Sequence, residues 1–268
     1  MGICKSDAST GKARGSLEIE EPDPGFVPLA DLVLPFALYW KQLMDHTDHK
    51  SWFRRRVEDA VRGAFMKAYD TIKVNPEHYL EHLRMAYQLP ALTYDGVYSV
   101  DPDLLDRIAE DTIRAHMRIA AAEGAGFGLG GLFTMLPDLG ILAGITLRMI
   151  QKLSLIYGFS YETEEEEAEL WIAAASAAGV DISRELVEKQ FVSKFVPRVI
   201  QRIAVSASAE IVEKWTARVI PIVSSAIGAG LNYYFVKLWG ERAIGHFRQK
   251  HFQIRHSKHA ITLPASRL

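Results

Sequence analysis

Two stretches of this chain carry almost no charge and are crowded with glycine, and they limit its folding options more than any other feature. Residues 124–147 contain a single charged residue, Asp138, and residues 219–236 contain none. The first is long enough to span a bilayer, which takes about 20 apolar residues. However, Pro137-Asp138 interrupts it, and Gly124, Gly126, Gly128, Gly130 and Gly131 fill its first half. Each half is too short to span alone. The second begins at Ile220-Pro221, is thinned by Gly228 and Gly230, and carries the amide of Asn232. Two hairpin-like fates are open to such segments: dipping into a membrane, or packing as core helices whose glycines permit close approach. Asp138 has two readings as well. It caps a helix running on to Tyr157, the commoner use of an aspartate after a proline, or it is a buried carboxylate facing Arg148.

Elsewhere the helical period dominates, with no alternating strand pattern and no Asn-Gly hairpin, so the expected fold class is all-α. Leu29–Met44 is apolar and broken by Pro35. Ser51–Ile72 reads as an amphipathic helix with Trp52, Val57, Val61, Phe65 and Ala68 inward and Arg54, Arg55, Arg56, Arg62 and Lys67 outward. Asn75-Pro76 is an N-cap followed by a first-turn proline, opening a helix toward Tyr87. Asp101-Pro102 opens another, to about Glu123. The acidic run Glu162–Glu169 precedes an alanine-rich helix around Trp171–Ala178, and acidic side chains suit a helix N-terminus. Ser183–Phe195 and Pro197–Arg218 follow as helical stretches. The organisation is a flexible N-terminal tether at 1–28, one multi-helix domain at 29–256 and a basic tail at 257–268.

The chain opens Met-Gly-Ile-Cys-Lys-Ser. Gly2 followed by three variable residues and Ser6 is a myristoylation pattern, and Cys4 beside it is placed for a palmitate. One myristoyl chain anchors only marginally, whereas a second acyl chain or a basic patch makes anchoring stable. Lys5, Lys12 and Arg14 supply such a patch, and Arg248, Lys250, Arg255 and Lys258 form a second near the other end. Cys4 is the only cysteine, which excludes an intramolecular disulfide scaffold. With no secretory signal pattern, the body is expected to face a cytosol. Net charge is only -2, so no global basic field points to nucleic acid.

The glycine-rich segments also carry a resemblance. Gly130-Gly131-Leu132-Phe133-Thr134-Met135-Leu136-Pro137-Asp138-Leu139, then Arg148, then Ile156-Tyr157-Gly158-Phe159, resembles the central signature of the EcsC family. Ile220-Pro221 followed by Gly228-Ala229-Gly230-Leu231-Asn232-Tyr233 resembles the family's later signature, with Ala243, His246 and Phe247 downstream. The resemblance covers about Phe36–Phe252. It implies an α-helical, membrane-associated protein. It brings no established common enzymatic activity and no catalytic residues.

Other chemistry has thin support. His78, Glu81 and His82 match an inverted zinc-protease pattern, with two imidazoles one turn apart on a helix. Such enzymes need a third ligand from elsewhere and a mixed α/β body. No Gly-x-Ser-x-Gly elbow is present, and the glycines at 124–131 follow a helix, not the strand that a dinucleotide fingerprint requires. The expected function is therefore a non-enzymatic module on the cytoplasmic face of a membrane, without metal or cofactor. It would bind anionic lipid or a membrane-protein partner and no nucleic acid. The alternative is a membrane-surface, metal-dependent hydrolase using His78, Glu81 and His82.

Overall fold

The computed structural model describes residues 47–127, 132–182, 192–216 and 225–262. Among them are helices α1 (Thr47–Thr71), α2 (Pro76–Tyr87), α3 (Tyr94–Val97), α4 (Pro102–Phe127), α5 (Leu132–Ile156), α6 (Glu164–Ala177), α7 (Val192–Thr216) and α8 (Ser225–Thr262). No strand occurs among the described residues, and the chain is all-α.

Local chemistry sets several of these boundaries. Asn75 caps α2 by accepting from the His78 amide, with Pro76 at the first helical position. Thr163 caps α6 in the same way through the Glu166 amide, and Glu164–Glu167 fill the first turn, where the helix dipole favours negative charge. Glu166 reaches back to accept from the Glu162 amide. Leu153–Phe159 closes α5 with a paired stop: Gly158 N–H donates to Leu155 O and Phe159 N–H to Ser154 O. Gly158 sits at φ +94°, open mainly to glycine.

The longest helix, α8, lies along α4, and that pair forms the most extensive packing in the fold. Gly240 of α8 meets Ile113 of α4 so closely that a Cβ there would stand 2.7 Å from the isoleucine side chain. The two run antiparallel, since Arg248 pairs with Asp106 and Arg255 with the Val100 carbonyl. α1 packs on α5 and α7, α5 also contacts α4, and α6 bridges α7 and α8. One continuous core results, with Trp171, Tyr157 and Phe247 its largest fully buried side chains.

Five expectations change. The helix opened at Asp101-Pro102 continues past Glu123 to Phe127. α5 starts at Leu132, so Asp138 lies inside it and does not cap a helix. The inward face of α1 holds Phe53 together with Val57, Val61, Phe65 and Ala68, whereas Trp52 is 55% exposed beneath Arg56. Phe53 lies four residues before Val57 and shares its face; Trp52, one residue earlier, is turned about 100° away. Pro197, expected to open a helix, lies within α7. α8 also runs through the first residues of the expected tail, to Thr262. Leu29–Met44 and most of Ser183–Phe195 lie outside the described residues.

Candidate functional site

The residues of the Tyr157-Gly158-Phe159 turn meet the C-terminal half of α8 in a dense polar and aromatic knot. Tyr157 is buried, and its hydroxyl donates to Asp106 Oδ1 at 2.7 Å. Asp106 Oδ2 in turn takes Arg248 at 3.0 Å. His251, only 1% exposed, donates from Nδ1 to the Tyr157 carbonyl at 2.9 Å and stacks on Tyr98 at 5.0 Å between centroids. Phe159 packs against Tyr98 and Phe247. A second polar centre sits one turn away on α8. Glu169 of α6 accepts from His246 Nε2 at 2.5 Å and pairs with Lys250 at 3.0 Å. Burial alone would raise the Glu169 pKa, but the hydrogen bonds and charges of His246 and Lys250 outweigh it and hold the carboxyl below its ordinary value.

The expected C-terminal basic patch is thus engaged in the fold. Arg248 and Lys250 pair with Asp106 and Glu169, Arg255 donates to Val100 O at 2.9 Å, and Lys258 pairs with Asp95. Each ties α8 to a different element, so their spacing follows internal acceptors. Among the expected signature residues, Tyr157 and Gly158 form the knot, Asn232 is buried in α8, and Arg148 is exposed on α5. Gly228 and Gly230 lie in the first turns of α8, and Pro137 and Asp138 within α5. Gly130, Gly131, Pro221, Gly2, Cys4, Lys5, Lys12 and Arg14 lie outside the described residues. His78, Glu81 and His82 sit on the exposed side of α2, where His82 stacks on Tyr79 at 5.8 Å. Among the described residues no group of three His, Cys, Asp or Glu could hold a metal ion.

Two openings adjoin this architecture. A recess of about 30 Å³ lies between α1, α5, α7 and α8, lined by Phe65, Leu142, Ile211, Phe235 and Trp239 among others. That is room for about two waters, far short of an acyl chain. The larger opening is a cleft of about 540 Å³ at the opposite end of α8. Its walls come from α2, the α3 region, the turn after α5, the start of α6, and Ile254 and Lys258 of α8. Sequence reasoning missed this cleft, because its walls come from five separated segments.

The EcsC protein family matches residues 56–252, most of the chain and all of the knot. The chain belongs to the EcsC family. It is 26% identical over 155 residues to Protein EcsC of Bacillus subtilis (strain 168), covering 58% of this chain and 66% of that relative. It is 30% identical over 63 residues to Uncharacterized protein YdbA of the same organism, covering 24% of this chain and 23% of that protein. The matches therefore span less than two thirds of either relative's own length. No solved structure matches the chain. The run Ile156-Tyr157-Gly158-Phe159 acquires a physical meaning here: it is the helix stop that turns Tyr157 onto Asp106 and offers its carbonyl to His251.

Two buried histidines, His251 in the knot and His116 on α4, are expected to make this EcsC domain sensitive to mild acid. Burial is the main cause holding His116 and His251 below the ordinary imidazole value of 6.5, with hydrogen bonds to Thr112 and Tyr157 carbonyls opposing it. Nε2 of His251 has no partner among the described residues, so a second proton there would be buried without an acceptor. Below about pH 6.5 the unfolded chain takes up protons that the folded chain refuses. Stability is therefore full above that pH and falls as pH drops through it, by up to about 1.4 kcal/mol per pH unit for each histidine. Urea midpoints are expected to fall from pH 7.5 to pH 5.5. A midpoint constant across that window contradicts this account.

Proposed function

We propose that this chain is a non-enzymatic, membrane-associated helical module that meets the membrane with its glycine-rich end. What supports the reading is where five of the eight exposed large apolar side chains among the described residues sit; Trp52, Met85 and Leu92 are the other three. Ile119, Ile141, Val205, Tyr233 and Tyr234 are all substantially exposed. Ile119 and Val205 approach the ends of α4 and α7, and Ile141, Tyr233 and Tyr234 follow the starts of α5 and α8. All four helix termini border the glycine-rich segments. At 1.5 Å per residue these side chains stand about 12–17 Å from those termini, and tyrosines are favoured at membrane–water boundaries. Helix α5 contains a stretch, Leu139–Ile156, apolar and long enough to cross a membrane, but 61% of it is buried inside the bundle. Interfacial contact therefore fits the described residues better than a span through α5. The small recess among the described residues is too small for an acyl chain, so in this reading lipid is met at the surface.

In this reading acyl chains on Gly2 and Cys4, with Lys5, Lys12 and Arg14 against anionic headgroups, supply the anchor on the cytoplasmic face. A membrane-protein partner docked on the same end is the related form of the proposal. The test is fractionation of the tagged full chain from eukaryotic cells, with wild type beside Gly2→Ala and Tyr233→Ser/Tyr234→Ser, before and after a carbonate wash. Gly2→Ala is expected to move most of the protein to the soluble fraction, and the tyrosine pair to weaken what remains bound. Wild type that is soluble throughout overturns the proposal. Pelleting of wild type and both variants after the wash would replace peripheral contact with true insertion.

A further inference from the structure

We propose that the 540 Å³ cleft at the far end of α8 is a binding site for a soluble organic ammonium ion, with Lys258 as its resident internal competitor. The volume lies in the range of small-molecule sites. The lining brings together two aromatic rings, Tyr94 and Tyr98, and four carboxylates, Glu77, Asp95, Glu162 and Glu166. Lys258 is the single cation lining the cleft among the described residues. The Lys258 ammonium stands 4.3 Å from the centroid of the Tyr98 ring and pairs with the Asp95 carboxylate. An ammonium over an aromatic face with a carboxylate beside it is how proteins hold alkylammonium ligands. Here the chain fills that position with its own side chain.

The wall and the occupant differ in how firmly they are held. The Tyr98 ring is buried, stacked on His251, and its hydroxyl donates to Gly158 O at 3.3 Å. Tyr94 donates to Pro76 O at 2.5 Å. Glu166 is fixed by Ser160 Oγ at 2.8 Å and the Glu162 amide at 3.1 Å. The occupant, by contrast, meets an exposed carboxylate: the side chains of Lys258 and Asp95 are 41% and 82% exposed. Such a pair is weak, so an incoming cation can displace Lys258 while the aromatic wall stays in place. From Tyr234 to Lys258 along α8 is about 36 Å. A membrane held at the glycine-rich end would leave this cleft in the aqueous phase, which favours a soluble amine over a lipid headgroup. The site itself does not depend on any membrane contact.

The test is calorimetric titration of the purified full chain with choline, and with 3,3-dimethylbutan-1-ol as its uncharged isostere. Choline is expected to bind and the alcohol not. Lys258→Met removes the competitor from a half-exposed position, and is expected to tighten choline binding about tenfold. Adding Asp95→Asn to Lys258→Met is expected to reverse much of that gain. The proposal is overturned if Lys258→Met binds choline no better than wild type, or if the alcohol binds equally well. Retention of Lys258→Met on phosphatidylcholine vesicles without binding of free choline would overturn the soluble source and assign the site to a headgroup.

Discussion

Trp171→Ala is expected to lower the unfolding free energy by about 3–5 kcal/mol, the range for removing a large aromatic from a packed core. Trp171 is 1% exposed and meets Tyr69 of α1 edge-on at 5.4 Å. Its helix makes the loss hard to repair. Ala173, Ala174, Ala175 and Ala177 are all buried along α6, which lets that helix lie close to α7 and α8. Alanines have no rotamers with which to fill a void, and a neighbouring helix would have to move as a body. Urea denaturation followed by circular dichroism measures the effect. A loss under about 1 kcal/mol would mean that the site collapses freely, contrary to this packing.

The second large effect is expected at Gly158, where alanine should cost about 2–4 kcal/mol. Two independent penalties meet there. The backbone sits at φ +94°, outside the region that L residues occupy comfortably. A Cβ would also stand 3.1 Å from the Tyr98 ring and 3.3 Å from the Tyr94 carbonyl. Alanine therefore strains the stop of α5 and presses on the aromatic wall of the cleft. Equilibrium unfolding of Gly158→Ala measures the loss, and Tyr98→Leu/Gly158→Ala separates the terms. If the ring contact matters, the alanine should cost less once the ring is gone. Equal costs in both backgrounds would assign the penalty to the backbone alone.

The ion pairs that fasten α8 are unequal partners in this economy. Lys258–Asp95 is exposed and should contribute little, whereas Glu169 is only 14% exposed and holds both the Lys250 ammonium and the His246 imidazole. Because its folded pKa lies below the ordinary 4.5, its contribution is present above that value. It is lost as pH falls through the depressed pKa. That acid step begins at about pH 4.5, whereas the one set by the two buried histidines begins at about pH 6.5.

Much of the helical frame was legible from local signals, because those signals act within one turn. Asn75-Pro76 and the acidic turn after Thr163 satisfy orphan amides and the helix dipole with no help from the rest of the fold. The inward face of α1 was readable at four of its five buried positions, since the period of apolar residues is itself local. Trp52 misled because hydrophobicity alone does not say which of two adjacent aromatics faces the core. The dipeptide Pro137-Asp138 misled similarly: a local break signal marks where a helix can start, but α5 begins earlier, at Leu132.

Sequence by itself determined the all-α class, the family and the helix starts at Asn75-Pro76 and Asp101-Pro102, since each depends on neighbours within a few residues or on a contiguous motif. Only the tertiary structure showed which partners the C-terminal cations meet within the fold. Arg248, Lys250, Arg255 and Lys258 look like a patch for headgroups, yet each is held by an acceptor between 81 and 163 positions away in the chain. The cleft was illegible for the same reason. Charge and ring positions in five separated segments acquire a common purpose only when the antiparallel packing of α8 on α4 carries Lys258 to Tyr98.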